Sequence, residues 1–261
     1  MRVAFLGCTK YSEELFLHII QNKEVEIAAV FSIPQQFKIN YSESLVTNSN
    51  FADMEAHAKE RDIPFHYITG EKGKRLQDHS AFIKGLELDV ILVLGWYYMV
   101  PQVVRSLAKF GAWGIHASLL PDYAGGAPLV WAIIEGQTST GVTLFKLDDG
   151  VDDGDIILQD EFPILFEDSI REVYQKATES SIRILNKAFE LGDKNTFTKQ
   201  DPGKIKIYPQ RSPADGQIDF SKPALSIYNF IRAQSSPYPG AFFLSGDNKK
   251  VVIEKARILD V

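Results

Sequence analysis

The chain has one cysteine, Cys8, in 261 residues. No disulfide can form within it, and a cysteine-rich zinc site is excluded. It also lacks any apolar run of the ~18–20 residues that a membrane-crossing helix needs. The opening "MRVAFLGCTKYSEELF" has neither the apolar length nor the small-residue cleavage site of a secretory leader, so a cytoplasmic protein is expected. Positive charge is scarce: 28 Lys and Arg stand against 34 Asp and Glu, a net charge of -6. No global field gathers a polyanion to such a chain, so nucleic acid is not the expected partner.

With 45% hydrophobic residues, the chain can bury a sizeable core. "VAFLG" at 3–7 is a continuous apolar run closed by glycine, as in a strand covered on both faces. Ser12 is placed to cap a helix carrying Leu15, Phe16, Ile19 and Ile20 at helical spacing. A second buried strand follows at 25–32, so the opening is a β-α-β unit and a parallel sheet with helices on both faces is expected. Residues 33–50 read as a polar loop, 51–62 as a helix and 65–68 as a short strand. "LDVILVLGW" at 88–96 is the strongest strand signal. A helix is expected from Pro101 to Gly111, then the strand "AWGIH". Beyond it come a helix closed by Gly136, a half-buried strand at 140–147 and a partner strand at 154–164. Ser169 and Glu172 form a capping box for a helix toward Gly192. Residues 196–261 are expected as a small β-rich C-terminal subdomain behind a polar linker, with one helix, "ALSIYNFIRA". Residues 1–195 form the larger, Rossmann-like domain.

Open α/β sheets bind ligands at the carboxyl ends of their strands. Three loops leave such ends: 7–11, 95–101 and 117–126. Cys8 reads by itself as a packed thiol, although with Thr9 and Lys10 it lies in the first of these loops. His116 ends a strand, and glycines and prolines shape the chain after it. His57 and His79 read as surface residues, and His18 as a partly buried helix residue. The acidic turn "LDDGVDDGD" reads as a solvated hairpin turn, and it lacks the closing glutamate of a calcium loop. One of its carboxylates could instead orient the His116 imidazole, with nothing in spacing alone to choose among them.

"HASLLPDYAGGAP…TGVTLFKLDDGVDDGDIILQ" resembles the folate-dependent formyltransferases, ungapped from about residue 111 to 159. That family includes enzymes acting on methionyl-tRNA, on glycinamide ribonucleotide and on sugars. The resemblance implies that His116 and Asp152 are catalytic. The imidazole takes a proton from an attacking amine and helps return one to the departing folate nitrogen, and the carboxylate favours its charged form. The family's asparagine, the oxyanion donor, is replaced here by Gly114, and Ala124 stands where relatives often carry arginine. Losing an oxyanion donor outright costs roughly 3–4 kcal/mol of transition-state stabilisation.

The resemblance further implies 10-formyltetrahydrofolate as co-substrate, and no metal. The folate would be cradled by the aromatic loop Trp96, Tyr97, Tyr98, Met99 and Val100, by Leu120 and Pro121, and by Asp148, Gly150 and Val151. The acceptor would meet Cys8, Thr9, Lys10, Ser118, Gly125, Gly126, Arg232 and Tyr238, with Arg232 pairing a phosphate. The loop 32–50 carries only Lys38 as a basic residue, and residues 196–261 are short for the barrel of the tRNA enzymes. The expected acceptor is therefore a nucleotide-linked amino sugar for surface polysaccharide, with a homodimer as a candidate assembly. A tRNA-directed enzyme and a catalytically weak binding relative are the competing readings.

Overall fold

Alternating strands and helices at the start of the chain build a parallel sheet, and the later strands extend it antiparallel. The computed structural model describes residues 1–38 and 45–259. Strands β1 (Arg2–Leu6), β2 (Glu26–Ser32), β3 (Phe65–Tyr67), β4 (Val90–Val93) and β5 (Ala112–His116) run parallel. The crossovers between them carry α1 (Lys10–Ile19), α2 (Met54–Lys59), α3 (Ser80–Gly85) and α4 (Gln102–Arg105). After α5 (Pro128–Ile134), strands β6 (Ser139–Lys146) and β7 (Ile156–Pro163) add antiparallel beside β5, and α6 (Ile170–Leu191) follows. The order is β7-β6-β5-β4-β1-β2-β3, so the strand order reverses between β1 and β4. A crevice opens there in folds of this class.

Side chains alternate across the parallel strands as the pleat requires. Val3, Phe5, Val90, Leu92 and Trp113 join the core with α1, α5 and α6, whereas Ala4, Leu6, Ile91 and Ala112 pack with α3 and α4. Gly114 and His116 continue the second set, so both stand on the α4 face. The C-terminal part holds α7 (Ala224–Ala233) and the hairpin β8 (Ala241–Leu244) with β9 (Lys250–Ile253), around its own small core of Ile218, Ile231 and Ala241.

Several expectations need correction. Thr9, not Ser12, is the N-cap of α1; Ser12 closes the capping box from the third helical position. The helix expected from Pro101 to Gly111 stops at Arg105, and turns carry the chain to Gly111 at φ 79°. β6 is buried on both faces, because the loop after His116 covers the side opposite α6. Within 33–50, Gln36–Phe37 pairs with Val46–Thr47, and residues 39–44 of that expected loop lie outside the described residues. His79 is not a surface residue: its ring packs 4.7 Å from His66. The polar segment after α6 is no free linker. Thr198 bridges Ile156, and Ile207–Tyr208 pairs with Ala124–Gly125 in the loop that follows His116.

Candidate active site

His116 ends β5 at the carboxyl edge of the sheet, 8% exposed. Its Nε2 lies 2.8 Å from the Tyr123 carbonyl and its Nδ1 lies 3.4 Å from Asp152 Oδ2. A carbonyl can only accept, so Nε2 carries the hydrogen and Nδ1 is the basic nitrogen of the neutral ring. A proton arriving at Nδ1 meets the Asp152 carboxylate at once. That carboxylate is itself aimed by the Gly125 N–H, 2.8 Å from Oδ2. The acidic turn therefore contributes one carboxylate to the imidazole, and it is the one the resemblance implied.

Four side chains that sequence reasoning missed hold this pair in place. Thr143, opposite His116 in β6, donates to the Ser118 carbonyl at 2.6 Å and accepts from the Leu120 N–H at 3.0 Å. Gln159, opposite Thr143 in β7, donates to the Leu120 carbonyl and to Thr143 Oγ1. A polar row across three strands thus fixes the loop after His116. Gln200 donates to the carbonyls of Asp152 and Gly154 at 2.7 and 2.8 Å, holding Asp152 at φ 52°. Arg105 from α4 is buried and binds the Asp148 carbonyl and the Asp149 carboxylate. A polar residue at a buried strand position was a readable signal for Thr143, whereas Gln159 is exposed in β7. Arg105 and Gln200 offered none.

Gly114 stands two residues before His116 on the same face, where the resemblance puts an asparagine. That space is filled with hydrocarbon. A Cβ at Gly114 would stand 2.9 Å from Leu147 Cδ2 and 3.4 Å from Phe145 Cε1. We expect Gly114→Asn alone to lose about 1–3 kcal/mol of stability through overpacking. Urea denaturation checks this, and Leu147→Ala in the same chain should recover part of the loss.

The segments expected to cradle the folate lie side by side, tied by Arg105, which belongs to the helix after the aromatic loop and grips the acidic turn. Tyr97 and Met99 are exposed on the first segment, and Asp148, Gly150 and Val151 on the second. Tyr98 donates to the Lys38 carbonyl, and burial raises its pKa. The Trp96 Nε1–H is buried without a partner among the described residues. Val100 and Leu120 are buried and can offer only backbone, while Pro121 stays half-buried.

The acceptor contacts fare differently. Cys8 is fully buried with its Sγ 3.3 Å from the Gly95 carbonyl, and burial pushes the thiol up to about 12. It is a packed thiol, and native protein should resist alkylation at pH 8 that unfolded protein undergoes, as mass spectrometry would show. Thr9 is occupied in capping α1 and Ser118 Oγ bonds the Asp122 carbonyl. Gly125 and Gly126 give their N–H groups to Asp152 and to the Tyr208 carbonyl. They are glycines because Tyr208 and Gln210 press on them: a Cβ would stand 2.5 Å from the Tyr208 oxygen or the Gln210 Cα. Arg232 is buried and sends Nε to Asn229 and Nη1 to the carbonyls of Leu165 and Asp168, so it clasps α7 to the segment before α6 instead of facing a phosphate. Lys10 remains exposed at the start of α1, and Tyr238 is half-buried with its hydroxyl 2.7 Å from that of Tyr174.

Among the described residues, no helix is long and apolar enough to cross a membrane, and no cluster of three metal-binding side chains occurs. Bifunctional polymyxin resistance protein ArnA of Wigglesworthia glossinidia brevipalpis is 32% identical over 210 residues, 80% of this chain and 32% of that protein. A methionyl-tRNA formyltransferase of Acidobacterium capsulatum is 33% identical over 184 residues, 70% of this chain and 59% of that protein. The chain thus spans from a third to three-fifths of these two relatives. A 4-N formyltransferase from Francisella tularensis has the same fold at TM-score 0.72 and 19% identity, over 98% of both chains. An N-formyltransferase from Helicobacter canadensis, solved with folinic acid and dTDP-3-aminofucose, aligns at TM-score 0.65 and 20% identity over 88% of this chain and 79% of that one. Residues 1–189 match the Formyl transferase family and residues 210–260 its C-terminal domain, so the chain belongs to the formyl transferases.

Proposed function

We propose that this protein transfers a formyl group from 10-formyltetrahydrofolate to the amino group of a nucleotide-linked amino sugar. The His116–Asp152 pair, set at the sheet edge beside the aromatic loop and the acidic turn, is the observation that carries this reading. The residues present suit a folate. Trp96, Tyr98 and Val151 offer flat and apolar walls, the backbone of 148–151 offers polar edges, and the unpartnered Trp96 N–H wants an acceptor. When bound, the folate supplies an activated formyl group.

The chain's own residues handle the proton. His116 Nδ1 takes it from the acceptor amine, and Asp152 stabilises the resulting imidazolium. Tyr123 keeps Nε2 protonated throughout, so Nδ1 alone exchanges the proton. Gly114 offers no side-chain amide here, since the space beside it is taken by Leu147 and Phe145. A sugar acceptor is supported by the net charge of -6 and by fold likeness over 88% of this chain to an N-formyltransferase solved with dTDP-3-aminofucose.

Sequence likeness to a methionyl-tRNA formyltransferase favours charged initiator tRNA as a second reading. The test is a panel of nucleotide-linked 3-amino and 4-amino sugars beside charged initiator tRNA, with 10-formyltetrahydrofolate as donor and mass detection. Formylation of a sugar and not of the tRNA is expected. Transfer to the tRNA alone would overturn the sugar assignment.

A further inference from the structure

With Arg232 held internally, the cleft needs another cation if a phosphate is to bind, and one is present in the segment that crosses from α6 to α7. Arg211 lies with its guanidinium 4.8 Å from the Trp131 ring centroid and 5.6 Å from that of Phe230. Both hydrogen bonds that it makes come from Nη2, to the Asp215 carbonyl and to Gln234 Oε1 at 3.0 Å. Its Nε is buried with no partner, and no carboxylate pairs with it among the described residues. The nearest carboxylate, Asp215, is bound to the Ser212 N–H and hydroxyl. Burial costs the guanidinium more than the charge of Asp215 returns to it, and an incoming anion would stabilise it further.

Two chains of contact place this cation at the site. Trp131 packs 5.7 Å from Tyr208, which packs 4.8 Å from Tyr123, the residue whose carbonyl holds His116 Nε2. On the other side, Tyr238 feels the positive charge of Arg211 and shares a hydrogen bond with Tyr174. Burial, then Tyr238 and the phenol of Tyr97 in the aromatic loop, raise the pKa of Tyr174. Arg211 is thus tied through ring contacts to the His116 loop, with its guanidinium over the Trp131 ring.

We infer that Arg211 anchors the diphosphate of a nucleoside diphosphate, the linking group of the acceptor, at the rim of the cleft. A guanidinium held over Trp131, with donors left over, fits the planar, charge-assisted recognition of phosphate oxygens. The inference rests on the sugar-nucleotide reading, but binding tests it without any turnover.

Calorimetric titration of the full chain with a nucleoside diphosphate, and with the matching nucleoside, is the experiment. Wild type should bind the diphosphate, and Arg211→Gln should bind it roughly 10–100-fold more weakly while nucleoside binding stays unchanged. Arg211→Lys keeps the charge without the fork and should fall between them. A folded Arg211→Gln with unaltered diphosphate affinity would overturn the inference, as would a wild type that binds charged tRNA and no nucleoside diphosphate. If the variants fail to fold, wild type still decides. The diphosphate should protect Arg211 from a dicarbonyl arginine reagent in peptide mass mapping, and modification of Arg211 at the same rate with or without it would refute the anchor. If formyl transfer to sugars fails yet the diphosphate protects Arg211, the anion site stands and only the reaction is wrong.

Discussion

Asp152→Asn should leave the fold intact and lower formyl transfer by about 10²–10⁴-fold, the range of a lost acid–base function. The reason lies in one oxygen. Oδ2 stands 3.4 Å from His116 Nδ1 and accepts the Gly125 N–H, so it is both aimed and placed to favour a charged imidazole. Asparagine fills the same volume but carries no charge, and an imidazolium at Nδ1 loses its stabiliser. His116→Asn removes the base itself and should cost at least as much. Because the two act as one unit, the double variant should be scarcely slower than either single one. Matched thermal melts together with product formation check this. A folded Asp152→Asn enzyme of wild-type speed would remove the carboxylate from the mechanism.

The second large effect is expected at a residue that touches no substrate. Gly154 is buried directly against the end of β6, and a Cβ there would fall on the Lys146 carbonyl. That oxygen is backbone and cannot step aside. Gly154→Ala should therefore cost ~2 kcal/mol or more, read as a lower urea midpoint, and move Asp152 off its partner. Gly150 is the contrast. It is exposed, and a Cβ there would meet the Asp153 carboxylate, a side-chain end that can swing into water. Gly150→Ala should change stability by less than about 0.5 kcal/mol. Equal losses at the two glycines would show that backbone approach does not explain Gly154.

His116 was legible because a strand ended on it and the chain then turned on prolines and glycines. Burial, tautomer and partner were not, since the Tyr123 carbonyl and the Gly125 N–H carry no side-chain signature. Asp152 could not be separated from its acidic neighbours by spacing; resemblance separated it, and the distance to Nδ1 agrees. The partners of Arg232 were not legible for a related reason. A helical arginine near a proline-rich turn looks alike whether it faces solvent or backbone carbonyls, and its partners at Leu165 and Asp168 are carbonyls. Arg211 carries no sequence signal in a polar stretch, because its setting comes from Trp131, far away in the chain. The α/β order was readable from apolar runs and glycine stops. The close return of residues 198–210 onto the His116 loop was not, since that stretch is polar and its strand pairing is through backbone.

The most direct test of the central claim is a single turnover with a formyl-labelled donor, a nucleotide-linked amino sugar and excess enzyme, quenched and read by mass. With wild type, label should appear on the sugar amine; with folded His116→Asn, it should remain on the donor. Equal transfer by the two proteins, or label released only as formate by wild type, would contradict a reaction centred on His116 Nδ1 and Asp152.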